Sequence, residues 1–149
     1  MRLLTIGFTR KSAETFFETL RGAGAARVLD VRLHNTSQLA GFAKRDDLAY
    51  LLRATHGIGY VHLTDLAPTA EMLDTYKKHK GKKHEGAWEA YEAAYRGLLR
   101  ERRVEETLDR SLFDGGCLLC SEPTPHHCHR RVAAEYLAAA WGDVTVTHL

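Results

Sequence analysis

Short apolar runs alternate with amphipathic segments along the whole chain, and this alternation restricts the fold more than any other feature. Apolar runs of strand length occupy residues 3–6, 26–31, 58–63, 116–120 and 144–148. Parallel strands joined by helical crossovers produce such an order. We therefore predict an α/β fold: one domain over residues 1–149, with a mostly parallel twisted sheet of about five strands and helices on both faces, in a Rossmann-like three-layer arrangement.

The segments between these strands have the residue patterns of helices. Ser12 is a suitable N-cap for a helix that follows the first strand. Further helices are predicted over residues 45–55 and 88–99, and a polar helix continues from the latter to about residue 112. The chain after the fourth strand is expected to turn and then form another helix.

The composition is that of an ordinary globular domain. The chain has 149 residues, 44% of them hydrophobic, and a net charge of +2, so no strong overall field favours nucleic acid or membrane. No apolar run approaches the roughly 20 residues of a membrane span, and the first residues lack a signal-peptide pattern. The three cysteines are an odd number without the spacing of a disulfide framework. This predicts a reducing, cytoplasmic setting with at least one free thiol.

The residues that follow the predicted strands are chemically varied. In open parallel sheets, ligands bind at the carboxyl ends of the strands. Those ends carry Gly7, Phe8, Thr9 and Arg10, then Asp30, Val31 and Arg32, then His62, and finally Cys120, Ser121 and Glu122. All should emerge on one rim beside the start of the last long helix, so we predict an active site there.

Residues 117–131 hold all three cysteines and three of the nine histidines. Cys117 and Cys120 are three positions apart in a strand, so their side chains should point to opposite faces, with Cys117 in the core. The turn after the strand can bring Cys120 and Cys128 together. With His129 they form a candidate site for zinc or another transition metal, and a fourth ligand could come from His126, His127 or Glu122. Buried, inert cysteines are the alternative.

The turn itself suggests where the following helix starts. Thr124 and Pro125 have the residue types of an N-cap and a first helical position. A helix starting there places Cys128 in its first turn, where the helix dipole and neighbouring cations favour a thiolate. A reactive thiol, a metal ligand and an anion site all fit this arrangement.

Asp30 and Arg32 share one face of the second strand, so they can form a structural ion pair. In the alternative, Arg32 and Arg10 bind a phosphate or carboxylate, while Asp30 orients an arginine or acts as a base. His62 is either a general acid or base or a satisfied polar residue at a strand end. Glu122 is either a catalytic carboxylate or a turn former.

One strong charge run lies in the long insert between the third strand and the helix at 88–99. Such runs usually form solvated loops, but long inserts at a ligand rim are often lids or binding loops. A basic lid would suit a nucleotide, RNA or DNA partner. The lysines that would make this contact are Lys77, Lys78, Lys80, Lys82 and Lys83.

Several short motifs resemble, in their order along the chain, those of the domain-of-unknown-function 488 family. They are Thr5-Ile-Gly7, Leu29-Asp-Val-Arg32, Phe42-Ala-Lys44 ahead of a leucine helix, Tyr60-Val-His-Leu63, and Cys120-Ser-Glu122 with Cys128-His-Arg-Arg131. The resemblance covers essentially the whole chain and implies an α/β fold with a shared polar site, without specifying a reaction. The positions carried over are Gly7, Asp30, Arg32, Lys44, His62, Cys120, Glu122, Cys128, His129 and Arg130.

Together these features favour an enzyme that works at the rim on a phosphate-bearing or nucleotide-like substrate. The anion would be bound by Arg10, Arg32, Lys44 and Arg130. The catalytic groups would be Cys120, Glu122, Cys128, His62 and Asp30. Two alternatives stay open: a metal-binding or nucleic-acid-binding module without catalysis, and a polar network that only closes the sheet. No Walker loop or nucleophile elbow is present to name a reaction.

Overall fold

The computed structural model describes residues 1–36, 40–79 and 86–149. Its strands are β1 (Arg2–Gly7), β2 (Arg27–Asp30), β3 (Gly59–His62), β4 (Gly116–Cys120) and β5 (Thr145–His148). They form one parallel sheet in the order β3-β2-β4-β1-β5. The predicted α/β class and parallel sheet are confirmed, and each predicted strand is present within one residue at either end.

Helices cover both faces of the sheet, as predicted. They are α1 (Ala13–Gly22), α2 (Arg45–His56), α3 (Ala70–His79), α4 (Ala87–Arg102), α5 (Val104–Thr107) and α6 (His129–Trp141). One face carries α1 and α2, where Phe16 and Leu52 are buried. The other face carries α4 to α6, where Tyr95 and Leu137 are buried. Among the described helices, none combines the length and hydrophobicity that crossing a bilayer requires.

One residue, Ser12, accounts for the start of α1, and another, Gly57, accounts for the end of α2. Ser12 is the N-cap of α1, and its Oγ accepts a hydrogen bond from the Thr15 N–H at 3.1 Å. This bond satisfies one of the N–H groups that a first helical turn leaves unpaired. Gly57 follows α2 with φ at 63°, a left-handed conformation that glycine adopts without strain. The chain therefore reverses there and enters β3 directly.

The start of α6 differs from the sequence prediction. The helix begins at His129 with Cys128 as its N-cap, so Cys128 precedes the first turn, and Thr124 is not the cap. The Arg131 side chain explains the difference, because its Nε donates to the carbonyls of Pro125 and His126 at 3.2 and 3.3 Å. A helix starting at Pro125 would need those carbonyls for its own first backbone bonds.

The polar helix predicted to reach residue 112 is interrupted. α4 ends at Arg102, Arg103 has a left-handed φ of 52°, and only a short α5 and a 3₁₀ turn at Arg110–Leu112 follow. The insert after β3 is more regular than a solvated loop, since it contains a 3₁₀ turn at Thr64–Leu66 and the helix α3. Residues 80–85, including Lys80, Lys82 and Lys83, lie outside the described residues, and so do residues 37–39.

The sheet separates the cysteines as the strand alternation predicted. Cys117 is fully buried on the face covered by α1 and α2, beside Leu119. Cys120 is buried on the opposite face with Leu118 and Cys128. Cys117 is therefore a core residue that cannot reach the other two thiols.

The topology also creates a crevice at the end of β4. This strand lies between β1 and β2, and α6 follows it on one face of the sheet. The helices that follow β1 and β2 pack on the other face. The loops after β4 and its neighbours thus separate in opposite directions, which is where ligands bind in open α/β sheets.

Candidate functional site

A cleft of about 340 Å³ opens at the carboxyl edge of the sheet. Its polar lining comes from the chain after β2, from α3, from the end of β4 with the turn that follows, and from the start of α6. The lining residues with polar or sulphur-bearing side chains are Arg32, His34, Lys77, Cys120, Ser121, Glu122 and His129. The ends of β2 and β4 and the start of α6 therefore meet around one cavity, at the rim that the strand ends predicted.

Backbone hydrogen bonds hold the turn after β4 against its neighbours. The Thr9 N–H donates to the Ser121 carbonyl at 3.1 Å, and the Val31 N–H donates to the Leu119 carbonyl at the same distance. These bonds continue the pairing of β4 with β1 and β2 past the strand ends. The loops that carry the candidate residues are therefore fixed relative to the turn that carries Cys120.

Arg32 is held in the cleft wall by a buried ion pair with Asp30. Its Nε and Nη2 donate to the two carboxylate oxygens at 2.9 and 2.8 Å. The two side chains are 3% and 0% exposed. Asn35 and Tyr60 donate to the same carboxylate. Fixed on several sides, the guanidinium has one orientation.

The surroundings of Asp30 keep it ionised. Burial raises the pKa of this carboxyl, but the hydrogen bonds and charge of Arg32, with the bond from Tyr60, outweigh burial and hold the pKa below its usual value. Its carboxylate is thus a fixed partner for Arg32. The Nη1 of Arg32 finds no hydrogen-bond partner among the described residues. An unpaired buried donor is costly, so this nitrogen is an unsatisfied group of a residue that lines the cleft.

Arg130 lies fully buried beneath the turn after β4. Its Nη1 donates to the Glu122 carbonyl at 2.6 Å and to the Cys120 Sγ at 3.1 Å, and its Nε donates to the Thr5 hydroxyl at 3.3 Å. Burial lowers its pKa to about 10, so the guanidinium is still charged at neutral pH. In the described part of the chain, no carboxylate forms an ion pair with it.

Cys120 and Cys128 are joined as a disulfide with Cα atoms 7.6 Å apart, and Cys117 is the free cysteine of the described chain. The Nη1 of Arg130 also lies 3.5 Å from the Cys128 Sγ. Cys128 is the N-cap of α6, at the positive end of the helix dipole. A guanidinium and a helix N-terminus both favour an anionic sulphur. In the reduced protein, these thiols are the groups best placed to balance the charge of Arg130.

His129 adds a third potential ligand to this cluster. One of its ring nitrogens and the sulphurs of Cys120 and Cys128 all lie within 4.8 Å of one another. Its Nε2 is 2.8 Å from the Val31 carbonyl, and because a carbonyl only accepts, Nε2 carries the hydrogen and Nδ1 is the acceptor of the neutral ring. Burial lowers the pKa of His129 to about 4, so the ring is neutral at pH 7.

His62 and Glu122 take different positions at the rim. The Nε2 of His62 lies 2.8 Å from the Arg32 carbonyl, so its N–H supports the backbone of that residue. Within the described chain, His62 does not line the cleft, whereas Glu122 does. Glu122 is therefore the better placed of the two for proton transfer to a bound molecule.

Arg10 and Lys44 are not brought to the cleft by the described residues. Both are exposed. Arg10 follows β1 with a φ of 62°, and Lys44 is the N-cap of α2, which packs on the other face of the sheet. Their predicted role in anion binding gains no support from this arrangement. Lys77 does line the cleft, although the sequence associated it only with nucleic acid.

Sequence reasoning missed the polar groups that hold the two arginines. Thr5 contacts Arg130, while Asn35 and Tyr60 contact Asp30. Tyr60 could have been found, because it precedes His62 by two positions in a strand and so shares its face. Thr5 and Arg130 lie 125 positions apart, and no local pattern indicates their contact or that of Asn35 with Asp30.

Fold and site together define a parallel α/β protein with a cysteine–arginine cluster at the carboxyl edge of its sheet. The family model described as "Domain of unknown function DUF488" matches residues 12–137. The chain belongs to this family, which confirms the resemblance seen in its motifs. No curated protein and no solved structure matches the chain.

Proposed function

We propose that the cleft at the end of β4 is the active site of an enzyme that acts on a phosphate-bearing or nucleotide-like substrate. The observation that carries this proposal is Arg32, a residue of the cleft lining whose guanidinium is fixed by Asp30 while its buried Nη1 has no acceptor among the described residues. Since Asp30 already fixes the guanidinium, little orientational freedom is lost when an anion binds.

The charge and size of the cleft support an anionic ligand. Lys77 lines it together with Arg32, and Glu122 is the carboxylate that the described lining contains. The volume of about 340 Å³ lies at the lower end of the range of ligand sites. This suits a phosphate group with a small organic part, and a larger nucleotide would extend towards solvent.

The reactive groups in this proposal are the sulphur pair and Glu122. Cys120 lines the cleft, and Arg130 beside it supports an anionic sulphur that acts either as a nucleophile or as a metal ligand. Glu122 transfers the proton. Asp30 and His62 act as positioning residues, because each contacts Arg32. The free thiols that this chemistry needs favour a cytoplasmic location, which is part of the same proposal.

Calorimetric titration of the reduced protein with inorganic phosphate and with adenosine monophosphate tests the proposal. Lys77→Gln should weaken binding several-fold, since it removes a charge from the cleft lining. Lys78→Gln is the matched control, because Lys78 is an exposed neighbour on α3 that the described cleft lining does not include. Arg32→Lys should weaken binding further, because an ammonium cannot keep both bonds to Asp30 and also reach an anion.

Saturable binding that Lys77→Gln and Arg32→Lys weaken, and that Lys78→Gln leaves unchanged, would support the assignment. Thermal unfolding of each variant identifies any loss that comes from misfolding. Lack of saturable binding of either probe to the wild-type protein would overturn the proposal. Equal losses in Lys77→Gln and Lys78→Gln would do the same, because they would indicate a general charge effect.

A further inference from the structure

We infer that Cys120, Cys128 and His129 form a three-ligand site for a divalent transition-metal ion such as Zn²⁺. Their ligand atoms lie within 4.8 Å of one another, and the two cysteines are buried. Tetrahedral zinc with sulphur and nitrogen ligands separates its ligand atoms by roughly 3.5–3.8 Å. Reduction of the Cys120–Cys128 pair frees both sulphurs, which must then move apart to reach that geometry.

The backbone separation of the two cysteines is wide for a disulfide and leaves room for an ion once the pair is reduced. Their sulphurs meet in the manner of a disulfide, but the Cα atoms of Cys120 and Cys128 are 7.6 Å apart. Disulfides form without backbone movement only when this distance is below about 7 Å. An ion between the sulphurs lengthens the bridge and so spans the observed separation.

The contacts of His129 are those of a metal-ligating histidine. Its Nε2–H donates to the Val31 carbonyl, and its ring packs edge-on against Tyr95 at 5.5 Å between centroids. A hydrogen bond from the nitrogen that does not bind the metal fixes the tautomer and the ring orientation in most such sites. In this case Nδ1 is the nitrogen available for the ion.

Metal binding adds no net charge to the buried site. Binding replaces one proton on each thiol, and the two protons pass to solvent, so the ion and two thiolates are together neutral. The guanidinium of Arg130 donates to both sulphurs, at 3.1 and 3.5 Å. This donation satisfies lone pairs of the thiolate ligands.

The fourth coordination position would face the cleft. Cys120 and His129 both line that cavity, together with Arg32 and Glu122. Three protein ligands and one open position are the arrangement of catalytic zinc, whereas structural zinc has four protein ligands. The catalytic use of the ion rests on the proposed function, but metal binding itself does not depend on it.

Metal content and thiol state measured on the untagged wild-type protein test this inference. Plasma mass spectrometry should find about one zinc ion per chain after anaerobic reconstitution. Replacement by Co²⁺ should give the visible bands of a tetrahedral thiolate complex. Cys128→Ser and His129→Asn should each lose metal or bind it far more weakly. Cys117→Ala is the matched control, since Cys117 lies on the other face of the sheet and should keep full metal content.

Failure of the reduced wild-type protein to bind either Zn²⁺ or Co²⁺ would overturn the inference, whatever the variants do. Loss of metal from Cys117→Ala equal to that from Cys128→Ser would also overturn it. The phosphate titrations are read separately. If the protein binds stoichiometric metal but no phosphate, the metal site stands and the proposed function is overturned. If it binds phosphate but no metal, the proposed function stands and the metal site is overturned.

Discussion

The carbonyl oxygen of Glu122 lies 1.6 Å from the position that a Cβ atom on Gly7 would occupy. The Nη1 of Arg130 lies 2.9 Å from the same position. Gly7 is paired with Cys120 in the register of β1 and β4, so this contact brings the turn after β4 directly onto the end of β1. The absence of a side chain at residue 7 is what allows Arg130 to reach both the Glu122 carbonyl and the sulphurs.

Gly7→Ala should therefore destabilise the protein strongly. The new methyl group meets backbone, which cannot rotate away, so the turn and β1 must separate. We expect a loss of about 3 kcal/mol or more in the free energy of unfolding, measured by urea denaturation. Gly97→Ala is the control, because nothing lies within 4 Å of its Cβ position in α4 and alanine favours a helix. Similar stability in both variants would contradict the packing described here.

Asp30→Asn should cost about 3 kcal/mol of stability, because it leaves the buried guanidinium of Arg32 without a counter-charge. Asp46→Asn is the matched control, since Asp46 pairs with Arg45 at an exposed position and should lose no more than about 0.5 kcal/mol. Chemical denaturation at neutral pH measures both. A small loss in Asp30→Asn would show that the ion pair contributes little.

The same ion pair predicts a pH dependence of stability. Because the folded pKa of Asp30 is lowered, the unfolded chain takes up this proton first as the pH falls. The contribution of Asp30 is complete above its unfolded pKa of about 4 and is lost as the pH falls through the folded value. The stability difference between wild type and Asp30→Asn should thus be constant above about pH 5 and shrink as the pH falls below about 4. A stability difference that stays constant or grows as the pH falls would contradict a lowered pKa of Asp30 in the folded protein.

The fold was predictable because its signals are local. The apolar run at residues 116–120 predicts a buried strand. Because parallel strands end at the same edge of a sheet, this prediction places Arg32, Cys120 and Glu122 at one rim. The start of α6 was not predictable, because it depends on the Arg131 side chain taking two carbonyls. The role of Arg130 was equally hidden, since its guanidinium reaches Thr5, 125 positions away in sequence.

Arg130→Lys should destabilise the protein even though the charge is retained. A single ammonium cannot reach Thr5, the Glu122 carbonyl and both sulphurs together, so buried acceptors lose their donors. We expect a loss of about 2 kcal/mol in the free energy of unfolding. Arg100→Lys, at an exposed position on α4, should be nearly neutral. Equal stability of the two variants would mean that only the charge at residue 130 matters.

The cysteines should differ in their reaction with an alkylating reagent. Burial raises the pKa of Cys117, so its thiol stays protonated, and the thiolate is the reactive form. Cys120 is also buried, but it borders the cleft and lies beside Arg130, whose guanidinium favours an anionic sulphur. In native, reduced, metal-free protein, peptide mass spectrometry should therefore find iodoacetamide on Cys120 well before Cys117. Cys117 should react only when urea unfolds the chain. Alkylation of Cys117 as fast as Cys120 in the native protein would contradict the placement of these two residues on opposite faces of the sheet.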